Sequence, residues 1–164
     1  MQKPGGVSTG DRERGFEETM AKEFPSIQIV ARQYGMADRA KSRDAAENIL
    51  TAHSDLNGIF ASAEANSIGA VQAIKSRNLS GKIKLVTFDS SELHIEAIGD
   101  GTIDVMLVQD PYKIGYEAVR SLVRKLNGET PDVRMDLPVH VITKPDLDRP
   151  EIHALLFPKW AAEK

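Results

Sequence analysis

Short apolar runs alternate with longer amphipathic stretches along most of this chain, and that alternation leaves few folds open. The runs are SIQIVARQ, LNGIFAS, KIKLVTF, TIDVMLVQ and LPVHVIT. Between them, apolar residues recur at the spacing of one helical face. Phe16, Met20 and Phe24 do so in DRERGFEETMAKEF, Ala45, Ile49 and Ala52 in MADRAKSRDAAENILTAH, and Ile68, Val71 and Ile74 in EANSIGAVQAIKSRN. A period near 3.6 marks a helix with one buried side, and a short apolar run between turn signals marks a strand. SELHIEAIGDG reads as a short helix closed by glycines. PYKIGYEAVRSLVRKLNG is the clearest helix, with Asp110 as its cap, Pro111 at its first position and Asn127–Gly128 at its end. Strands that alternate with helices build a parallel sheet covered on both faces. The expected fold is α/β, a three-layer sandwich in which IQIVA, GIFA, IKLVTF and IDVMLV are parallel strands, with LPVHVIT as a last strand before a polar tail.

Length and charge narrow the function. The chain has 164 residues, enough for one domain with a real core. Its net charge is −3 and it carries no basic block, which argues against nucleic acid and anionic membrane as partners. No apolar run is long enough to span a bilayer. There is no cysteine, so disulfides and thiolate metal sites are excluded. The four histidines (His53, His94, His140, His153) show no metal-ligand spacing, and no metal or cofactor is expected.

The beginning of the chain reads unusually. An open α/β unit normally starts on a strand, whereas MQKPGGVST reads as the loop that leaves one, so a preceding strand is expected. MQKPGGVSTGDRERG has no apolar core of a signal peptide; the expectation is either a cytoplasmic protein or a chain without its original beginning. Gly5 and Gly10 have the spacing of a phosphate-binding loop, but Asp11 and Arg12 follow where Lys and Ser or Thr are needed. A carboxylate there repels phosphate and no hydroxyl is placed for magnesium, so nucleotide binding is rejected.

In an open parallel sheet, ligands sit beyond the carboxyl ends of the strands. Asp89 follows KLVTF, Gln109 follows VMLV and SAEAN follows GIFA. Arg12 is expected in the first turn of the first helix. These positions share one rim, with Phe88 beside Asp89 as a stacking face. A carboxylate accepts from two neighbouring hydroxyls and a guanidinium donates to two others. The set suits an uncharged polyhydroxylated molecule such as a sugar. Each residue also has a plainer role. Asp89 can cap the next helix, as can Ser90 or Ser91. Arg12 and Gln109 can be solvated surface residues, and Phe88 can be core. Glu64 with Asp89 is an alternative acid/base pair, which keeps a hydrolase or isomerase of α/β type in view, although no nucleophile is placed beside them.

At these residues the chain resembles the periplasmic sugar-binding proteins of the ribose-binding type, which serve ABC importers. The resemblance rests on RERGF, ENILTAHSDLNGIFAS, IGAVQAI, VTFDSS, GTIDVMLVQDPYKIGYEAV and LNGE, in family order. It implies one lobe of a two-lobe fold that closes on a sugar, here the C-terminal half only. Residues 1–144 then form the C-terminal-lobe unit, with the 110–128 helix packing on the N-terminal lobe, and residues 145–164 form a tail. The resemblance also implies a periplasmic location and a membrane permease as partner. It makes Arg12 the sugar-binding arginine, Asp89 the hydroxyl-binding aspartate, Phe88 its adjacent aromatic and Gln109 the polar residue at the hinge crossing. Ala63-Glu64 departs from the Asn followed by an acid found in many relatives. That departure argues against ribose, keeps Glu64 among the ligand-binding candidates and leaves the sugar or polyol open. Effector domains of lactose-repressor-type regulators share the fold and are the alternative, with no DNA-binding segment in view. One wall of a cleft predicts millimolar or undetectable sugar binding by this chain alone. An exposed sheet edge and the apolar face of the 111–126 helix predict a homodimer.

Overall fold

The computed structural model describes residues 4–158. Four strands form one sheet in sequence order: β1 (Gly58–Phe60), β2 (Lys84–Phe88), β3 (Val105–Val108) and β4 (His140–Ile142). The pairs β1–β2 and β2–β3 are parallel, and β4 closes the far edge antiparallel to β3. The helices are α1 (Val7–Glu23), α2 (Arg39–Ala52), α3 (Glu64–Ser76), α4 (Glu92–Gly99), α5 (Pro111–Leu126) and α6 (Pro150–Leu156). A 3-10 turn, Lys144–Asp148, precedes α6. The chain is thus α/β with a mostly parallel sheet.

Register sorts the side chains into two faces. Leu85, Met106 and Ile142 share one face and are fully buried against Ala73 and Ile74 of α3 and Ala97 and Ile98 of α4. Full burial of side chains of this size contributes about 1.5–3 kcal/mol each, and these residues form the main core. Ala46 and Leu50 of α2 and Ile152 of α6 join it. The opposite face carries Phe60, Val86 and Phe88, and α1 lies over it with Phe16 stacked on Phe60 at 4.8 Å between centroids. α1 covers this second face only in part, and Val86 and Leu107 stay half-buried. The polar tail expected after β4 instead contributes the buried Ile152.

The helix signals of α5 are realised. The Asp110 carboxylate accepts the Lys113 N–H at 2.9 Å, Pro111 opens the helix and Gly128 follows it at φ 84°. Its apolar residues stay exposed, Ile114 by 42% and Leu122 by 58%.

Four local expectations are corrected. IQIVA forms no strand: residues 28–33 run outside any ladder, although Ile29, Ala31 and Gln33 are half-buried and Val30, Arg32 and Tyr34 exposed. The period-2 pattern is present, but a strand also needs a paired backbone, and among the described residues no strand pairs with this segment. The buried stripe of α2 is Ser42, Ala46 and Leu50, one residue on from the Ala45, Ile49 and Ala52 read from spacing. The helix turns this way because Leu50 reaches the core and α2 lies tightly on α3. Gly10 lies inside α1, so the glycine spacing marks no loop at all. Because α1 begins at Val7, Arg12 stands in its second turn rather than its first.

Candidate functional site

The three parallel strands end at one rim, where Ser62, Asp89 and Gln109 follow β1, β2 and β3. α1 crosses that rim and brings Arg12 into it. The Arg12 guanidinium donates through one terminal nitrogen to the Ser62 carbonyl at 3.0 Å and through the other to Gln109 Oε1 at 3.2 Å. Its central carbon lies 3.5 Å from the centre of the Phe88 ring. Elements far apart in sequence are tied by one side chain. Two of its five N–H donors are used in this way, in a fixed fork. Burial lowers the Arg12 pKa from its ordinary value, and the negative charge of Asp89 opposes that shift.

Asp89 does not cap α4. Ser91 holds the cap position, and its hydroxyl pairs with His94 Nδ1 at 2.8 Å. The Asp89 N–H donates to the Leu107 carbonyl at 2.9 Å, which extends the ladder by one bond. Its backbone then turns into the left-handed region at φ 70°. Asp tolerates that region better than most side chains, but at a cost. Among the described residues its carboxylate makes no hydrogen bond or ion pair. A half-buried carboxylate on strained backbone therefore stands open beside a guanidinium.

Phe88 is 5% exposed, and the face of its ring is covered by Arg12. Glu64 opens α3 and is turned to α2, where Arg39 donates to it at 2.9 Å. The structure therefore gathers Arg12, Phe88, Asp89 and Gln109, and it holds Glu64 in an ion pair at the margin. Its charge and that of Asp89 both act on His94.

Ser62 was placed on the rim only as part of SAEAN, and Ser67 was not singled out at all. Ser62, 1% exposed, accepts from Arg12 through its carbonyl and donates through its hydroxyl to Glu13 at 2.7 Å. Ser67, fully buried in α3, accepts the Phe88 N–H at 3.3 Å and donates to the Ala63 carbonyl at 2.9 Å, which pins α3 to the end of β2. A serine two residues past a strand is a weak signal, and a serine at an apolar helix position is weaker still. Among the described residues no group of three or more His, Cys, Asp or Glu could hold a metal ion, and no helix is long and apolar enough to cross a membrane.

Comparison with known proteins gives a consistent relationship. A family described as periplasmic binding protein domain matches residues 2–130. The ribose import binding protein of Haemophilus influenzae is 29% identical over 133 residues, which cover 81% of this chain and 45% of that protein. The Bacillus subtilis ribose import binding protein is 29% identical over 142 residues, covering 86% and 45%. Among solved structures, an ABC transporter solute-binding protein from Agrobacterium vitis with bound D-fucose is 31% identical. It superposes with a TM-score of 0.88 over 95% of this chain and 53% of that one. A second Agrobacterium vitis solute-binding protein, bound with α-D-tagatopyranose, gives 0.90 at 28% identity over 94% and 52%. The chain spans less than half the length of these curated relatives.

Proposed function

The chain belongs to the periplasmic binding protein domain family, and from that premise we propose that it forms one wall of a sugar-binding cleft in the solute-binding component of an ABC importer. The observation that carries this reading is the pairing of a tethered donor with an open acceptor. Arg12 is held by Phe88, Gln109 and Ser62 with N–H groups to spare, and Asp89 is close enough to act on its charge while its carboxylate has no hydrogen-bond partner among the described residues. Adjacent hydroxyls of a neutral sugar or polyol fit that pair: Asp89 accepts from them and Arg12 donates to them. Gln109 and Phe88 act here by orienting Arg12. Glu64, engaged by Arg39, shapes the margin of the site.

The reading extends to the surroundings. A periplasmic location and a membrane permease partner follow from the proposed role. Residues 1–144 are read as the lobe that supplies this wall, with the exposed face of α5 (Ile114, Leu122) as the surface for the second lobe. No catalytic step is assigned.

One titration tests the site directly. ¹H–¹⁵N spectra of the chain are recorded with D-fucose, D-arabinose, D-allose and D-ribose at millimolar concentrations, and the sugars are then analysed for chemical change. Perturbations clustered at Arg12, Ser62, Asp89 and Gln109, with the sugar recovered intact, are expected. Perturbations confined to surfaces away from this rim overturn the reading, and conversion of a sugar moves the chain to the hydrolase or isomerase class.

A further inference from the structure

The parallel ladder between β1 and β2 stops just short of the rim. β1 ends at Phe60, and its last bond to β2 runs from the Ala61 N–H to the Val86 carbonyl at 2.9 Å. Backbone groups alternate along a strand, so Val86 and Phe88 direct theirs toward β1, and Thr87 and Asp89 toward β3. By Ala63, the cap of α3, the chain has already left the sheet. The N–H and carbonyl of Phe88 are buried and lie beyond the end of β1. Buried backbone groups need partners.

Ser67 supplies one. A serine inside a helix ordinarily returns its proton to the carbonyl four residues back. Ser67 does so, to Ala63 at 2.9 Å, and shares that proton with the Phe88 carbonyl at 3.3 Å. The same oxygen accepts the Phe88 N–H at 3.3 Å. A peptide unit is planar, so the unit that joins Phe88 to Asp89 can only turn as one piece. Its carbonyl edge is held by Ser67, and its N–H edge donates to the Leu107 carbonyl at 2.9 Å. Holding both edges fixes Asp89 at φ 70°. A residue with a side chain relaxes from that region when its peptide plane is free to rotate. Two residues on, the Ser91 hydroxyl pairs with His94 Nδ1 at 2.8 Å. A buried polar side chain therefore anchors the Asp89 loop on either side.

We propose that Ser67 is a positioning residue of the rim. Its hydroxyl stands in for a ladder partner of Phe88 and keeps Asp89 in the left-handed turn that leaves its carboxylate open beside Arg12. Ser67 touches no ligand and acts through Asp89. The sugar-accepting role of Asp89 rests on the function proposed above; the hold of Ser67 on the backbone does not.

NMR of the isotope-labelled chain reads that hold without any ligand. A positive φ brings an amide proton close to its own Hα, so the parent chain is expected to give a strong intraresidue NOE at Asp89. Ser67→Ala should reduce it to the level of the extended Thr87. The same variant should need at least about ten-fold more D-fucose for half-maximal shifts at Asp89. Ser67→Cys, whose thiol bonds more weakly in the same place, should show both losses in smaller measure and carries the test should the alanine variant not fold. Ile74→Val removes a buried methylene from the same helix. It is expected to lower the denaturation midpoint with the Asp89 NOE unchanged. A weak NOE in the parent chain overturns the proposal. So does an NOE unchanged in the Ser67 variants, one lost equally in Ile74→Val, or an unchanged half-saturation beside a lost NOE. Sugar shifts that avoid the rim in the parent chain overturn the sugar reading alone, because the NOE is recorded without sugar.

Discussion

The guanidinium of Arg12 lies over the ring of Phe88, with its central carbon 3.5 Å from the ring centre. This one contact joins α1 to the end of β2. It fixes the direction in which the remaining N–H groups of Arg12 face the rim, and it keeps the guanidinium partly out of water without a carboxylate bonded to it.

Arg12→Lys removes the fork and the stacking together. A cation on an aromatic face contributes about 0.5–2 kcal/mol and each lost hydrogen bond about 0.5–1.5. A destabilisation of about 1–2 kcal/mol is expected from urea unfolding. A double-mutant cycle with Phe88→Leu should show a coupling of at least about 0.5 kcal/mol. Strictly additive effects would make the contact incidental.

Asp89→Gly separates stability from binding. The substitution relieves the left-handed backbone at φ 70° and adds glycine's chain entropy to the unfolded state. These effects oppose each other, so the thermal midpoint is expected to move by no more than about 1 kcal/mol equivalent. Sugar-induced NMR shifts should vanish. A large loss of stability would show that the carboxylate supports the fold rather than a ligand.

Gly69→Ala tests the approach of α2 to α3. A methyl group at Gly69 would come within 2.5 Å of the Arg43 nitrogen and 2.6 Å of the Ser42 carbonyl carbon, both backbone atoms. Backbone cannot step aside as a side-chain tip does, so overpacking here is expected to cost about 3 kcal/mol. A chemical-denaturation midpoint within error of the parent chain would contradict the packing described.

His94 makes stability depend on pH. Its ring is 1% exposed, and burial lowers its pKa below the ordinary 6.5, an effect that the negative charges of Glu64 and Asp89 partly offset. Below pH 6.5 the unfolded chain takes up a proton that the folded chain resists, so stability falls as pH drops from 6.5 toward the folded-state pKa. The slope contributed is at most about 1.4 kcal/mol per pH unit. Denaturation of His94→Gln over pH 5–8 should show a flatter profile than the parent, and an identical slope would remove His94 as the source.

How much of this was legible follows from where each signal resides. The helices α3 and α5 were readable because periodic apolar residues and the Asp110-Pro111 start are local features of the chain. The strands GIFA, KLVTF and VMLV were readable as apolar runs, and their shared rim follows from parallel order. IQIVA carried the same pattern and failed, since a strand requires a partner that the segment cannot supply. The stripe of α2 slipped by one residue because spacing fixes a face only to within a turn, while Gly69 and Leu50 fix it absolutely.

The site divides in the same way. Sequence order alone put Arg12, Phe88, Asp89 and Gln109 near one edge, because chain direction in a parallel sheet determines which residues follow strand ends. Only the tertiary structure decided what each does there. Phe88 faces Arg12, Gln109 holds it, Glu64 turns to Arg39 and Ser62 joins through its backbone carbonyl. Those roles depend on distances of about 3 Å between residues up to 97 positions apart, and hydrogen bonds fade within a fraction of that length. The sequence determined which groups share the rim; folding determined which of them are already engaged, and left Asp89 as the acceptor without a partner.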